Sequence, residues 1–140
     1  MEIVQDTNVF IAALRSQEGA SAAVLDRCLA LEDQAAMGAN LLAEYEALIH
    51  RGSLWRGIPV TEAEREMLLD DFCAVAFWQP IYFRWRPNLP DADDDHVLEL
   101  AIASGVEHLV SHNKRDFLQG ELKFVEPRVV TPAQHLKTVK

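Results

Sequence analysis

Hydrophobic and polar residues follow two different periods along the chain, and the change between them marks its secondary structure. Short segments with an apolar centre, at residues 2–5, 34–38 and 108–111, are typical of short strands. Between them, apolar side chains recur at the three-to-four spacing of a helix face, as at Leu25 and Cys28. Strands that alternate with helices predict an α/β fold, in which helices cover both faces of a mainly parallel sheet.

Helix boundaries are marked by residues that cap exposed backbone groups. Asn40 is predicted as the N-cap of a helix that Gly52 closes. The capping boxes Thr61–Glu64 and Thr131–Gln134 predict two further helices, the first of which runs to about Cys73.

The segments between these helices are less regular. Residues 74–83 are rich in aromatic and β-favouring side chains and predict a strand, in which Pro80 indicates an edge position or a break. Residues 84–90 are predicted to form a loop, and residues 113–118 a short helical turn. Extended backbone is predicted near the end of the chain, at residues 124–125 and 129–130.

An acidic cluster opens the helix that follows the loop. It consists of four aspartates within five positions, Asp91, Asp93, Asp94 and Asp95. Helical spacing places Asp94 in line with Leu98 and Ala101, which should face the core, whereas Asp95 and Glu99 turn toward water. A carboxylate on a buried stripe needs a compensating partner. The simpler alternative is that these acids only cap the helix and favour its dipole.

Composition limits the classes of protein that the chain can belong to. Its 140 residues predict one domain with a real core, and no apolar run approaches the roughly 20 residues of a membrane helix. The N-terminus lacks the pattern of a signal peptide, and Cys28 and Cys73 are predicted to be reduced core thiols, so we expect a cytoplasmic protein. A net charge of −9 argues against a protein that coats nucleic acid. It is compatible with a nuclease whose acids hold cations.

Acidic residues also fall at the places where an α/β sheet builds its ligand site. Asp6 ends the first predicted strand, Asp94 begins a helix, Asp116 follows the fourth strand, and Glu44 lies on an inward helix stripe. Carboxylates that converge repel one another unless cations separate them, and hard oxygen ligands suit Mg²⁺ or Mn²⁺. Such cations activate water and stabilise charge on a phosphoryl oxygen, which favours hydrolysis of phosphodiesters.

Four segments resemble, in order, the motifs of PIN domains, the small nucleases of the VapC-type toxin group. They are residues 4–9, 41–44, 91–101 and 109–117, and residues 130–132 are similar to the closing strand and helix start of the toxin-like branch. The resemblance implies one PIN-like domain over residues 1–140, folded as a three-layer α/β/α sandwich. It implies that Asp6, Glu44, Asp94 and Asp116 bind the metal and catalyse, with supporting polar residues at Thr7, Asn8 and Ser111.

The same resemblance implies a Mg²⁺- or Mn²⁺-dependent endoribonuclease, the toxin of a toxin–antitoxin pair, which acts on RNA, is restrained by a cognate antitoxin and forms a homodimer. The chain departs from the pattern at Asn113, where many relatives carry Asp, so either Asn113 or Asp116 fills the fourth position. In the third motif, Asp91, Asp93 or Asp95 replaces or assists Asp94 as an alternative.

Two clusters of cationic and aromatic residues are candidates for RNA contact, because Arg pairs with phosphate and Trp stacks on unpaired bases. They are Arg51, Trp55 and Arg56, and Arg84, Trp85 and Arg86. The alternative is a dimer or antitoxin surface, where these residue types are also enriched. His96 and His112 lie near the predicted site and are candidates for a supporting role.

Two other functions compete with the nuclease. A phosphohydrolase would use Asp6 as a covalent nucleophile, but it usually needs a second acid two residues later, where this chain has Asn8. A non-catalytic PIN-like module would act only by binding RNA or a partner, and the departure at Asn113 is its support.

Overall fold

The computed structural model describes residues 1–81, 92–113 and 127–139, and of residues 92–95 it describes the backbone alone. In these ranges, all the strand pairs are parallel, as the alternation of strands and helices predicts. The strands are β1 (Glu2–Gln5), β2 (Gln34–Met37), β3 (Phe77–Trp78), β4 (His108–Val110) and β5 (Arg128–Val130).

The sheet has the strand order β3-β2-β1-β4-β5. The chain therefore builds outward from β1 on one side and then crosses to β4 on the other. The register pairs Val4 with Leu109 and Gln5 with Val110. Because order reverses between β1 and β4, the carboxyl ends of these two strands form the crevice in which such sheets bind ligands.

Helices cover the sheet in an α/β sandwich. They are α1 (Thr7–Arg15), α2 (Ala20–Leu29), α3 (Ala39–Ile49), α4 (Glu62–Val75), α5 (Ala92–Ser104) and α6 (Pro132–Thr138), with a 3₁₀ turn at Gly52–Leu54. Helix α5 packs on β1, β2 and β4, and α4 packs on β2. Three stacked or tilted aromatic rings, Phe10, Tyr45 and Phe72, join α1, α3 and α4 in the core. None of the described helices is long and apolar enough to cross a membrane.

Several predicted boundaries are confirmed. Thr61 and Thr131 each form a complete capping box, and Pro132 begins α6. Helix α5 ends at Ser104, and Gly105 follows it with a φ of +68°, a conformation that favours glycine. Cys28 and Cys73 are both free thiols.

Both predicted ends of α3 are wrong. The helix starts at Ala39 with Gly38 as its N-cap, because the amide of Leu42 already donates to the Gly38 carbonyl, so Asn40 lies inside the first turn. It ends at Ile49, before Gly52.

The predicted strand over residues 74–83 is also wrong for most of its described length. Helix α4 continues to Val75, because the amide of Ala76 still donates to the carbonyl of Phe72. Only Phe77–Trp78 pair with β2, and this short strand is the edge of the described sheet, as Pro80 predicts.

Candidate active site

Asp6 lies at the carboxyl end of β1, where the strand order reverses between β1 and β4, and its side chain is held by two hydrogen bonds. It follows β1 and caps α1, since its Oδ1 accepts a hydrogen bond from the amide of Thr7 at 2.8 Å. Its Oδ2 accepts from the hydroxyl of Ser111 at 2.7 Å, and only 3 % of the residue is exposed. The Asp6 carboxylate is therefore oriented by groups from both strands that border the crevice.

The loop after β4 is fixed to the start of α1. Ser111 is fully buried, and its Oγ also accepts from the amide of Asn113 at 2.9 Å. The side chain of Asn8 accepts from the amide of His112 at 3.2 Å. These contacts place Asn8, Ser111 and Asn113 beside Asp6, as the order of the strands predicts.

Glu44 reaches the same place from α3. Its Oε2 lies 2.6 Å from Nε2 of His96, which stands on α5. This hydrogen bond is the main reason why the pKa of Glu44 lies below its usual value, and the side chain of Thr7 lowers it further. Glu44 is thus held in its ionised form by a contact between two helices.

The Asp6 carboxyl is in the opposite electrostatic situation. Burial raises its pKa above the usual value, and the charge of Glu44 raises it further, although the hydrogen bonds from Ser111 and Thr7 oppose the shift. His96 provides a weak favourable charge. Ionised Asp6 is therefore incompletely compensated by the groups around it.

An open cavity of about 410 Å³ joins these groups. Its polar lining comes from Asp6, Thr7, Asn8, Glu44 and Asn113, and its cationic side chain is Arg15 at the end of α1. Two carboxylates, two amides and a guanidinium around one open space form an arrangement that can bind a cation and a phosphate group together.

The family model for the PIN domain matches residues 2–115, most of the chain. The chain belongs to the PIN-domain family. PIN domains are generally nucleases, so the fold is of a nuclease type, and the match confirms the family resemblance of the sequence motifs. A search of curated proteins and a search of solved structures each gave no match.

The donor set around Asp6 fits the divalent cation that PIN domains typically bind. A carboxylate offers about four acceptor sites, and hydrogen bonds to Asp6 occupy two of them, so the group can still bind a cation. A divalent ion would also supply the positive charge that a buried acid beside Glu44 lacks. All of the candidate metal ligands bind through oxygen, which is the ligand atom that Mg²⁺ and Mn²⁺ prefer.

The remaining predicted acids lie in part outside the described residues. Asp94 is in the first turn of α5, on the same helix as His96, but its side chain is not among those described. Asp91 and Asp116 lie outside the described residues, as do Arg84, Trp85 and Arg86. Their predicted roles stay predictions.

Trp55 is a correction to the predicted RNA contacts. Its ring is only 6 % exposed, its Nε1 donates to the carbonyl of Leu48 at 3.0 Å, and the guanidinium of Arg65 lies 4.7 Å from the ring centre. The ring therefore belongs to the core at the end of α3 and is not available to stack on a base. Arg51 and Arg56 are exposed.

Glu99 is a second correction. Helical spacing predicts that it faces water, but it is only 8 % exposed. Its spacing of three from His96 places both residues beside one cavity near the start of α3. Sequence reasoning also missed Arg15, because a single arginine at the end of an apolar helix gives no signal of a site.

Among the described residues, one exposed group of three side chains also has the composition of a metal site. It consists of His50, Glu62 and Glu66, whose ligand atoms lie within 4.8 Å of one another. Nδ1 of His50 is 3.0 Å from Glu62 and Nε2 is 3.7 Å from Glu66, so each ring nitrogen already faces a carboxylate. Ion pairing explains this group, and we assign it no function.

Proposed function

We propose that the protein is a Mg²⁺- or Mn²⁺-dependent endoribonuclease. Asp6 and Glu44 would hold the cation together with Asp94, with Asp116 or Asn113 completing the set and Asp91 as an alternative. A bound cation of this type activates water and stabilises negative charge on a phosphoryl oxygen. The observation that carries the proposal is the buried, incompletely compensated Asp6 carboxylate beside Glu44 in an open cavity at the switch in strand order.

The chain's own residues have distinct tasks in this proposal. Ser111 and the amide of Thr7 hold the Asp6 carboxylate in one orientation. His96 keeps Glu44 ionised and directed into the same region. Arg15 lines the cavity and is placed to bind a phosphate of the RNA strand.

We further propose that RNA is the substrate and that the protein is the toxin of a toxin–antitoxin pair, with a cognate antitoxin and a second copy of the chain as partners. Exposed Arg51 and Arg56 stay candidates for RNA contact. Growth arrest on expression, relieved by co-expression of a small neighbouring protein, would support the toxin role. Growth that is unaffected by the active protein would contradict it.

Cleavage of single-stranded RNA by the purified protein tests the enzyme directly. The wild type should cleave with Mg²⁺ or Mn²⁺ and stop when EDTA is added. Asp6→Asn and Glu44→Gln should be inactive. Glu46→Gln is the matched control, since it removes one carboxylate from the exposed side of the same helix as Glu44. Cleavage that persists in Asp6→Asn and in EDTA would overturn the proposal.

The phosphohydrolase alternative is disfavoured by the geometry around Asp6. The side chain two residues later, Asn8, is an amide that accepts a hydrogen bond from the backbone of His112. An amide does not titrate near neutral pH, so Asn8 cannot act as the general acid or base for a leaving group. A trapped phospho-aspartate at Asp6 would revive that alternative.

A further inference from the structure

A second cavity, of about 510 Å³, lies next to the candidate metal site. The two are connected by His96, which contacts Glu44 on one side and lines this second cavity on the other. Its walls come from the start of α3, the segment after β3 and the second turn of α5. The second cavity is therefore separated from Glu44 only by the His96 side chain.

Glu99 is the acidic residue in its lining. It is 8 % exposed and lines the cavity, yet it makes no side-chain hydrogen bond or ion pair with any part of the chain that the structure describes. Its carboxylate is therefore available to accept hydrogen bonds from a ligand that enters the cavity. Because a carboxylate only accepts hydrogen bonds, that ligand must donate them.

The start of α3 provides a different kind of binding group in the same cavity. Helix α3 begins at Ala39, and its N-cap, Gly38, provides no side-chain hydrogen bond to the first-turn amides. Gly38, Ala39 and Asn40 all line the cavity, and the positive end of a helix favours a phosphate. Exposed Pro80 and Ile81 add an apolar surface on which a flat ring can pack.

We propose that this cavity binds one unpaired guanine of the RNA, next to the scissile phosphate, and that Glu99 is the residue that selects it. The inference rests on the proposed ribonuclease function. Among the four RNA bases, only guanine presents two adjacent donors, N1–H and N2–H, on its Watson–Crick edge, and these match the two oxygens of a carboxylate. Proteins read unpaired RNA bases on this edge.

Nucleotide binding in EDTA tests the inference without catalysis or metal. Titration with 5′-GMP, 5′-AMP, 5′-CMP and 5′-UMP, followed by calorimetry, should show the highest affinity for GMP. Glu99→Gln should reduce GMP affinity by about tenfold to a hundredfold, the range expected for a bidentate base contact, and should leave AMP unchanged. Glu46→Gln should bind GMP like the wild type. Equal affinity for GMP and AMP, or an undiminished GMP affinity in Glu99→Gln, would overturn the inference.

Cleavage mapping on an RNA that contains all four bases provides the second measurement. The wild type should cut beside guanine, and Glu99→Gln should lose that preference while it still cleaves. Inactive wild type with intact GMP binding would refute the ribonuclease and leave the base site standing. A Glu99→Gln protein that binds Mn²⁺ more weakly but GMP equally would identify the cavity as a cation site instead.

Discussion

Two buried aspartates lie at opposite ends of the sheet, and their surroundings differ in kind. Asp33 precedes β2, is fully buried, and accepts hydrogen bonds from Nε of Arg27 and Nε2 of His135, both at 2.8 Å. Burial alone would raise its pKa, but the hydrogen bonds from Arg27 and His135 lower it to about 2. Asp6 follows β1 and has no arginine or lysine among the groups that lower its pKa, so burial dominates and raises it.

The difference separates an acid that stabilises the fold from one that we propose binds a cation. The Asp33 network continues through His135 to His108, whose Nδ1 atoms are 2.8 Å apart, and it joins α2, β2, β4 and α6. It is closed, because each buried group has a partner within the protein. Asp6 instead opens onto a cavity beside another acid. A buried carboxylate that is poorly compensated lowers stability, and such groups are typical of functional sites.

The sharpest test of the contrast is activity. Asp6→Asn retains the capping oxygen of the side chain, so it should fold, but RNA cleavage should fall by more than about a hundredfold as a metal-binding oxygen is lost. Asp33→Asn should retain the activity of the wild type in its folded fraction. Equal losses in the two variants, measured as initial rates at saturating Mn²⁺, would remove the distinction.

Stability should change in the opposite order. Asp33→Asn should lower the free energy of unfolding by about 3 kcal/mol, because it leaves Arg27 and His135 facing a neutral amide. Asp6→Asn should raise it at neutral pH, since the variant no longer buries a poorly compensated charge. Urea unfolding at pH 7 in EDTA measures both. A destabilised Asp6→Asn protein would argue that Asp6 is structural.

A bound cation should compensate the buried negative charge of Asp6 and should not affect Asp33. At a Mn²⁺ concentration one hundred times the Kd, the folded wild type gains about 2.7 kcal/mol by mass action. Asp6→Asn should gain little, while Asp33→Asn should gain as much as the wild type. Thermal unfolding with and without Mn²⁺ decides this, and the same rise in Tm for all three proteins would contradict it.

The pH dependence of stability should have opposite signs at the two acids. For Asp33, the folded pKa of about 2 lies below the usual value of 3.8, so its contribution to stability is present above pH 3.8 and is lost as the pH falls toward 2. For Asp6, the folded pKa lies above 3.8, so the contribution falls as the pH rises through that folded value. The free energy of unfolding of the wild type and of Asp6→Asn and Asp33→Asn should be measured across this pH range. The difference between the wild type and each variant should change with pH, with opposite signs for the two variants.

Ser111 provides a smaller test of the same site. Ser111→Ala removes the hydroxyl that donates to Oδ2 of Asp6, so the pKa of Asp6 should rise further and cleavage should fall by about tenfold. Ser104→Ala is a suitable control, because its hydroxyl donates only to carbonyls within α5. An Asp6 pKa unchanged in Ser111→Ala, followed by carboxyl NMR, would contradict the assigned role.

The sequence predicts the parallel α/β architecture and several helix ends, because the change of hydrophobic period and the capping residues are local signals. The parallel sheet, both capping boxes and the end of α5 at Gly105 all follow from spacing of a few residues. The ends of α3 and of β3 cannot be predicted from such local spacing, because tertiary contacts determine them. Trp55 and Arg65, which hold the last carbonyls of α3, come from beyond the helix itself.

The candidate site divides in the same way. The position of Asp6 at a strand end and of Glu44 on an inward helix stripe predicts that the two acids lie close together, and both line one cavity. The opposite pKa shifts of the two acids cannot be predicted from the sequence. They depend on Ser111 and His96, which are remote in sequence from Asp6 and Glu44. Helical spacing predicts that Glu99 faces water, but the residue is buried, because spacing alone does not show which neighbouring segments cover that face of the helix.

Direct titration with Mn²⁺ tests the central claim, that Asp6 and Glu44 belong to one cation site. Isothermal calorimetry on the wild type, Asp6→Asn, Glu44→Gln and Glu46→Gln requires no substrate and no cleavage. We predict saturable binding in the wild type and in Glu46→Gln, and affinity reduced by more than about a hundredfold in each of the other two variants. The same affinity in all four proteins would contradict the account.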